Sequence, residues 1–113
     1  MSKLDDAWAA FSKAVKDGAG ELADNLFQNW RNEAKEDAED FIELSKSKLP
    51  KWTEALALGH INKAEFDLLV RSLEALAHLN ALKAKGLAKQ KLEQFRVGLI
   101  SLVIKSAIAA VGV

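Results

Sequence analysis

The seventeen residues from Val97 to Val113, VGLISLVIKSAIAAVGV, carry a single charge, Lys105. On a helical wheel Gln94, Gly98, Ser101, Lys105 and Gly112 make one narrow stripe, and nearly every other position is apolar. Such a helix has to be covered around most of its circumference, by protein or by lipid. Seventeen helical residues reach about 25 Å, short of a hydrocarbon core of about 30 Å, and Lys105 would sit at mid-depth, where insertion costs roughly 3 kcal/mol. Burial in a helical bundle is therefore the expectation. Membrane contact is the alternative, with Lys83, Lys85, Lys89, Lys91 and Arg96 as its basic flank.

What surrounds this segment reads as helix as well. The 113 residues include one proline, six glycines and no tyrosine, and they are rich in Ala, Leu, Lys and Glu. Ser2 and Asp5 predict a capped start, and Leu4, Trp8, Phe11 and Val15 recur at helical spacing. Gly18-Ala19-Gly20 predicts a break. Leu22, Leu26, Trp30, Ala34, Ala38, Phe41 and Ser45 then predict a long second helix from about Glu21. Its alanine-only middle implies either very close packing or projection beyond the core.

Ser47 with Pro50 predicts a short helix through Leu58, stopped by Gly59 in a left-handed conformation. Asn62 and Glu65 form a capping box, with Ile61 placed to staple onto Phe66. The helix that follows has a broad apolar face of Phe66, Leu69, Val70, Leu73, Leu76, Ala77 and Ala84, and a narrower one of Leu68, Ala75, Leu79 and Leu82. Gly86 either separates it from the last helix or kinks one long helix. The predicted fold is a single all-α domain over residues 1–113, a bundle of four to five helices with a long second helix and a long apolar C-terminal one.

Several chemistries find little support. The absence of cysteine excludes disulfides, thiolate metal sites and cysteine nucleophiles. Sixteen acids balance sixteen bases, so no global field draws the chain to nucleic acid or anionic lipid. His78 reads as part of an exposed charged stripe with Glu74, Arg71, Asp67 and Lys85, and His60 as a turn residue. Glu33, Glu36, Asp40 and Glu43 share a face, yet the Glu-x-x-His motif of a di-metal carboxylate bundle is missing. Trp52 to Leu73 has helix-turn-helix form, but Glu65, Asp67 and Glu74 offset Lys63 and Arg71, leaving no positive face for phosphate. Trp8, Trp30 and Trp52 lie on apolar stripes and read as core. No enzyme activity, cofactor, metal or nucleic acid is expected.

Two features stand above this background. Residues 1–50 hold eleven acids and seven bases, whereas residues 51–113 hold five acids and nine bases. Glu33, Glu36, Asp40 and Glu43 are therefore predicted to lie near Lys85, Lys89 and Arg96, within one chain or across a dimer, fixing helix order more than stability. Second, two helices that need cover on more than one side predict an interface with a second copy or another helical protein, through Leu68, Leu79, Asn80, Leu82, Phe95, Leu99, Ile100, Val103, Ile104 and Ile108. Asn80, an amide within the apolar face, would fix register there. The functional expectation is a non-enzymatic helical interaction protein. The N-terminal stretch has no apolar run of signal-peptide length, so the expected location is cytoplasmic, with membrane association as the alternative.

Overall fold

The computed structural model describes residues 3–112, and Ser2 and the side chains of Leu4 and Asp5 lie outside what it describes. Six α-helices follow in order: α1 Lys3–Phe27, α2 Arg31–Ser45, α3 Leu49–Ala57, α4 Lys63–Arg71, α5 Asn80–Lys83 and α6 Lys89–Val111. A 3₁₀ turn at Glu74–Leu76 lies between α4 and α5, and no strand occurs among the described residues. The chain is an all-α bundle with a radius of gyration of 13.9 Å, close to the roughly 13 Å of a compact chain this long.

The expected break at Gly18 does not occur, and α1 runs through both glycines. They serve close packing. A Cβ on Gly18 would lie 2.7 Å from both Cδ atoms of Leu102, and one on Gly98 would lie 2.7 Å from a Cδ of Leu22. Each of α1 and α6 thus sets a leucine over the other's glycine, four residues apart on both helices, and the two run antiparallel. A Cβ on Gly20 would meet Arg31 and Lys35 of α2 at 3.0 Å. Ala19 and Ala23 of α1 are fully buried, as are Ala34 and Ala38 of α2, so the alanine face packs closely and does not project. Helix entropy lost at the glycines is offset by these contacts.

The chain instead turns at Gln28–Asn29–Trp30, where the sequence predicts continuous helix. Gln28 (φ 59°) and Trp30 (φ 68°) are left-handed without being glycine. The Asn29 side-chain oxygen accepts from the Trp30 N–H at 2.8 Å, and Lys91 Nζ donates to the Leu26 carbonyl at 3.3 Å.

From Leu49 to Phe66 local signals hold. Pro50 sits in the first turn of α3, although the N-cap is Lys48 and not Ser47. Gly59 has φ 77°. The Gly59 N–H donates to the Leu56 carbonyl at 3.2 Å and the His60 N–H to the Ala55 carbonyl at 2.9 Å, the paired bonds of a Schellman stop. The capping box forms both ways, Glu65 N to Asn62 Oδ1 at 2.8 Å and Asn62 N to Glu65 Oε1 at 3.1 Å.

The helix expected to run on through Ala84 ends at Arg71. After the 3₁₀ turn the chain passes through a left-handed Leu79 (φ 55°) into α5. The cause is tertiary. In a continuous helix the N–H groups of Ala81 and Leu82 would donate to the carbonyls of Ala77 and His78. Here both donate at 2.9 Å to the carboxylate of Asp37 on α2. The Ala77 carbonyl accepts from Arg96 Nε of α6 at 3.0 Å. The break also turns Leu79 and Leu82 into the core while Leu68 and Ala75 stay outside. Gly86 (φ 74°) then separates α5 from α6.

Leu92, Phe95, Leu99, Ile100, Val103, Ile104 and Ala107 make the buried face of α6. Its opposite side, with Ser101, Lys105 and Ala109, is exposed. With the half-buried Leu102, Ser106, Ile108 and Val111 beside that face, most of the circumference is covered, and the polar stripe of Ser101 and Lys105 with Val97 and Ala109 is what stays exposed.

Candidate functional site

The expected interface residues separate into two groups. Leu79, Leu82, Phe95, Leu99, Ile100, Val103 and Ile104 belong to the chain's own core. This corrects their reading as a face for another molecule: the segment from α4 to α5, broken after Arg71, supplies the cover inside one chain. Leu68 is 72% exposed, Ile108 is half-buried, and Asn80 is exposed at the start of α5 and not within an apolar face.

The charge faces meet at one place, Lys85 Nζ to Glu33 Oε2 at 3.7 Å, where Lys85 also lies 5.2 Å from the centre of the Trp30 ring. Arg96 is tied to Glu93 and Ala77, within its own half of the chain. Glu36, Asp40, Glu43 and Lys89 make no ion pair among the described residues and are exposed. Three of the six pairs among the described residues join α1 to α2: Lys16 with Glu39 at 3.8 Å, Asp17 with Lys35 at 3.9 Å, and Asp24 with Arg31. They staple the first hairpin rather than joining the two halves.

Asp37 is the buried charge that sequence reasoning passed over, at 2% exposure. Burial pushes its carboxyl above the ordinary 3.8, the Leu82 and Ala81 N–H donors pull it down in part, and Asp40 and Glu36 add to the rise. Both oxygens are committed to the α5 amides, so its work is capping.

Glu74, His78, Lys83, Glu93 and Arg96 border a shallow depression of about 530 Å³. Since α4 ends early, His78 is not on a helical stripe with Arg71 and Asp67, which pair with each other at 2.6 Å. His78 is exposed, and the Arg96 guanidinium is already held by Glu93. Among the described residues no three His, Asp or Glu converge as metal ligands.

The better-formed concavity lies at the opposite end of α6. Trp8 and Phe11 of α1, Pro50, Thr53 and Ala57 of α3, and Ala107, Ala110 and Val111 of α6 line a groove of about 570 Å³. Lys46, Lys51 and Glu54 supply its charges. Trp8 leans on Phe11 with ring centres 5.3 Å apart, so half of this supposed core tryptophan forms a groove wall. Alanines at 57, 107 and 110 leave the space, and the Thr53 hydroxyl is spent on the Leu49 carbonyl at 2.7 Å. Such a lining offers apolar contact with little acid–base or nucleophilic chemistry. Sequence reading missed it because three distant segments make it. The one local signal is alanine where α3 and α6 would otherwise carry larger apolar side chains.

No family model, curated protein or solved structure matches this chain.

Proposed function

We propose that the chain is a non-enzymatic helical interaction protein that receives an apolar helix face of a partner, itself or another protein, in the groove between α1, α3 and α6. The observation that carries this reading is the groove's lining: eight of its residues are apolar or small, with charges confined to Lys46, Lys51 and Glu54. A size of about 570 Å³ suits a few inserted side chains. The preferred location is cytoplasmic.

One observation favours a second reading, membrane association. As a helix of 23 residues α6 spans about 34 Å, longer than the apolar segment considered alone, with a mean hydropathy of 1.6 over its most apolar window, of which 33% is buried. Against it, Leu99, Ile100 and Val103 would have to leave the core to reach lipid.

In-cell photo-crosslinking separates the two. A photoreactive residue at exposed Ala110, in the groove, is compared with one at exposed Gln90, about 30 Å away along the same helix. Discrete protein adducts from 110 and not from 90 are expected. Lipid adducts would favour the membrane reading, and identical patterns from both positions would contradict a groove function.

A further inference from the structure

We infer that α1 is an exchangeable arm, and that the chain forms a dimer with a second copy of itself by straightening Gln28–Asn29–Trp30 into helix and swapping α1. The observation is a mismatch between local sequence and local backbone. Leu22, Leu26, Trp30, Ala34, Ala38, Phe41 and Ser45 keep one helical face straight across the turn, with no glycine or proline between Glu21 and Leu49. Yet Gln28 and Trp30 are held left-handed at φ 59° and 68°. Side chains other than glycine and, to a degree, asparagine or aspartate avoid this region, and here the one asparagine is not a left-handed residue.

What α1 gains by folding back is transferable. The Leu102 and Gly18 fit, the Leu22 and Gly98 fit, and the Lys16–Glu39, Asp17–Lys35 and Asp24–Arg31 pairs all join α1 to α2 or α6. Each can be made identically with the α2 and α6 of another copy. Exchange thus preserves the packing and relieves two strained residues per chain, at the entropic cost of association. Short connections under strain favour this outcome. Gln28 and Asn29 are exposed, so straightening them buries no polar group. The product contains a helix from Lys3 to Ser45 roughly 65 Å long, against a longest dimension of 42 Å for the single chain. The groove's Trp8 and Phe11 wall travels with α1 and re-forms against α3 and α6 of the other copy, so exchange neither needs an occupied groove nor abolishes it.

The test uses the full chain, which has no native cysteine, carrying Lys16→Cys and Glu39→Cys. These positions face each other across α1 and α2, where Lys16 Nζ lies 3.8 Å from Glu39 Oε1. After refolding at high concentration, a short bis-maleimide links the pair within one chain in the closed form and between chains in the swapped dimer. Gln28→Gly removes the left-handed penalty and should lower the dimer-forming constant by about tenfold to a hundredfold, because two turns straighten per dimer. Gln28→Ile worsens the penalty without forbidding helix and should raise the constant. Interchain links that fall with Gly and rise with Ile support the exchange. Monomer throughout, or a dimer whose links stay within each chain, overturns it. If Gln28→Ile does not fold, wild type against Gln28→Gly decides alone: interchain links reduced by the glycine support exchange, while their absence in wild type, or indifference to the glycine, overturns it.

Discussion

The chain leaves the helix twice against its local sequence, at Gln28–Trp30 and between Arg71 and Asn80, and the two departures are held in different ways. At the second, three backbone groups have remote partners. Asp37 takes the Ala81 and Leu82 N–H groups, and Arg96 takes the Ala77 carbonyl. At the first, the left-handed residues are exposed or half-exposed, and what keeps the chain folded back is packing of α1 along its length. One break is locked by hydrogen bonds at the break itself. The other is a hinge, closed by the Asp24–Arg31 pair and the Lys91 bond to the Leu26 carbonyl beside it and by packing farther along α1. A left-handed residue therefore has no single meaning in this fold: Leu79 is fixed by tertiary bonds, whereas Gln28 is merely tolerated.

The largest effect that would break this contrast is at Asp37. Asp37→Ala leaves one buried and one half-buried donor without acceptors and should lower unfolding free energy by about 2–4 kcal/mol, measured by urea denaturation. A loss under about 0.5 kcal/mol would mean the break is held by apolar packing of Leu79 and Leu82 alone. Gly98→Ala acts on the other region by pushing Leu22 away and loosening α1. Overpacking outweighs the helix-propensity gain of alanine, for a net loss of about 1–2 kcal/mol. Faster amide exchange should then appear in α1 while Ala81 and Leu82 keep their protection. Equal loosening of both regions would erase the distinction.

The smallest expected effect is a pH dependence at the locked break. Because Asp37 has a carboxyl raised above 3.8, the folded state holds this proton more tightly than the unfolded chain. Its contribution to stability therefore grows as pH falls through the raised folded value and is complete below the unfolded one. The stability difference between wild type and Asp37→Asn should widen on acidification from neutral pH, with other titrations cancelling in the difference. A difference that narrows would show the amide donors outweighing burial.

The same contrast explains what was legible in the sequence. Pro50, Gly59 and the Asn62 and Glu65 box act within a few residues of themselves, and the structure uses each of them as read; Gly86, open to two readings, takes the one that separates α5 from α6. Helical periodicity gave the all-α class and the long apolar last helix. The larger misreadings involve partners distant in sequence, unlike the one-residue shift of the α3 N-cap from Ser47 to Lys48. Gly18 looked like a breaker because Leu102 is invisible from its neighbourhood, and the stretch from Phe66 through Ala84 looked like one continuous helix because Asp37 lies more than forty residues before Ala81. Its second apolar face then seemed to demand another molecule, when breaking the helix let Leu79 and Leu82 turn inward. The groove was hidden for a similar reason, since Trp8, Ala57 and Ala110 come together only when α1, α3 and α6 do.

Native-state hydrogen exchange in low denaturant bears most directly on the contrast between lock and hinge. The amides of Ala81 and Leu82 should exchange only with global unfolding, while the slowest amides of α1 should exchange through a smaller opening that detaches α1 and leaves the Asp37 bonds intact. If Ala81 and Leu82 open first, or if α1 opens only together with the whole molecule, the division into one locked break and one hinge is wrong.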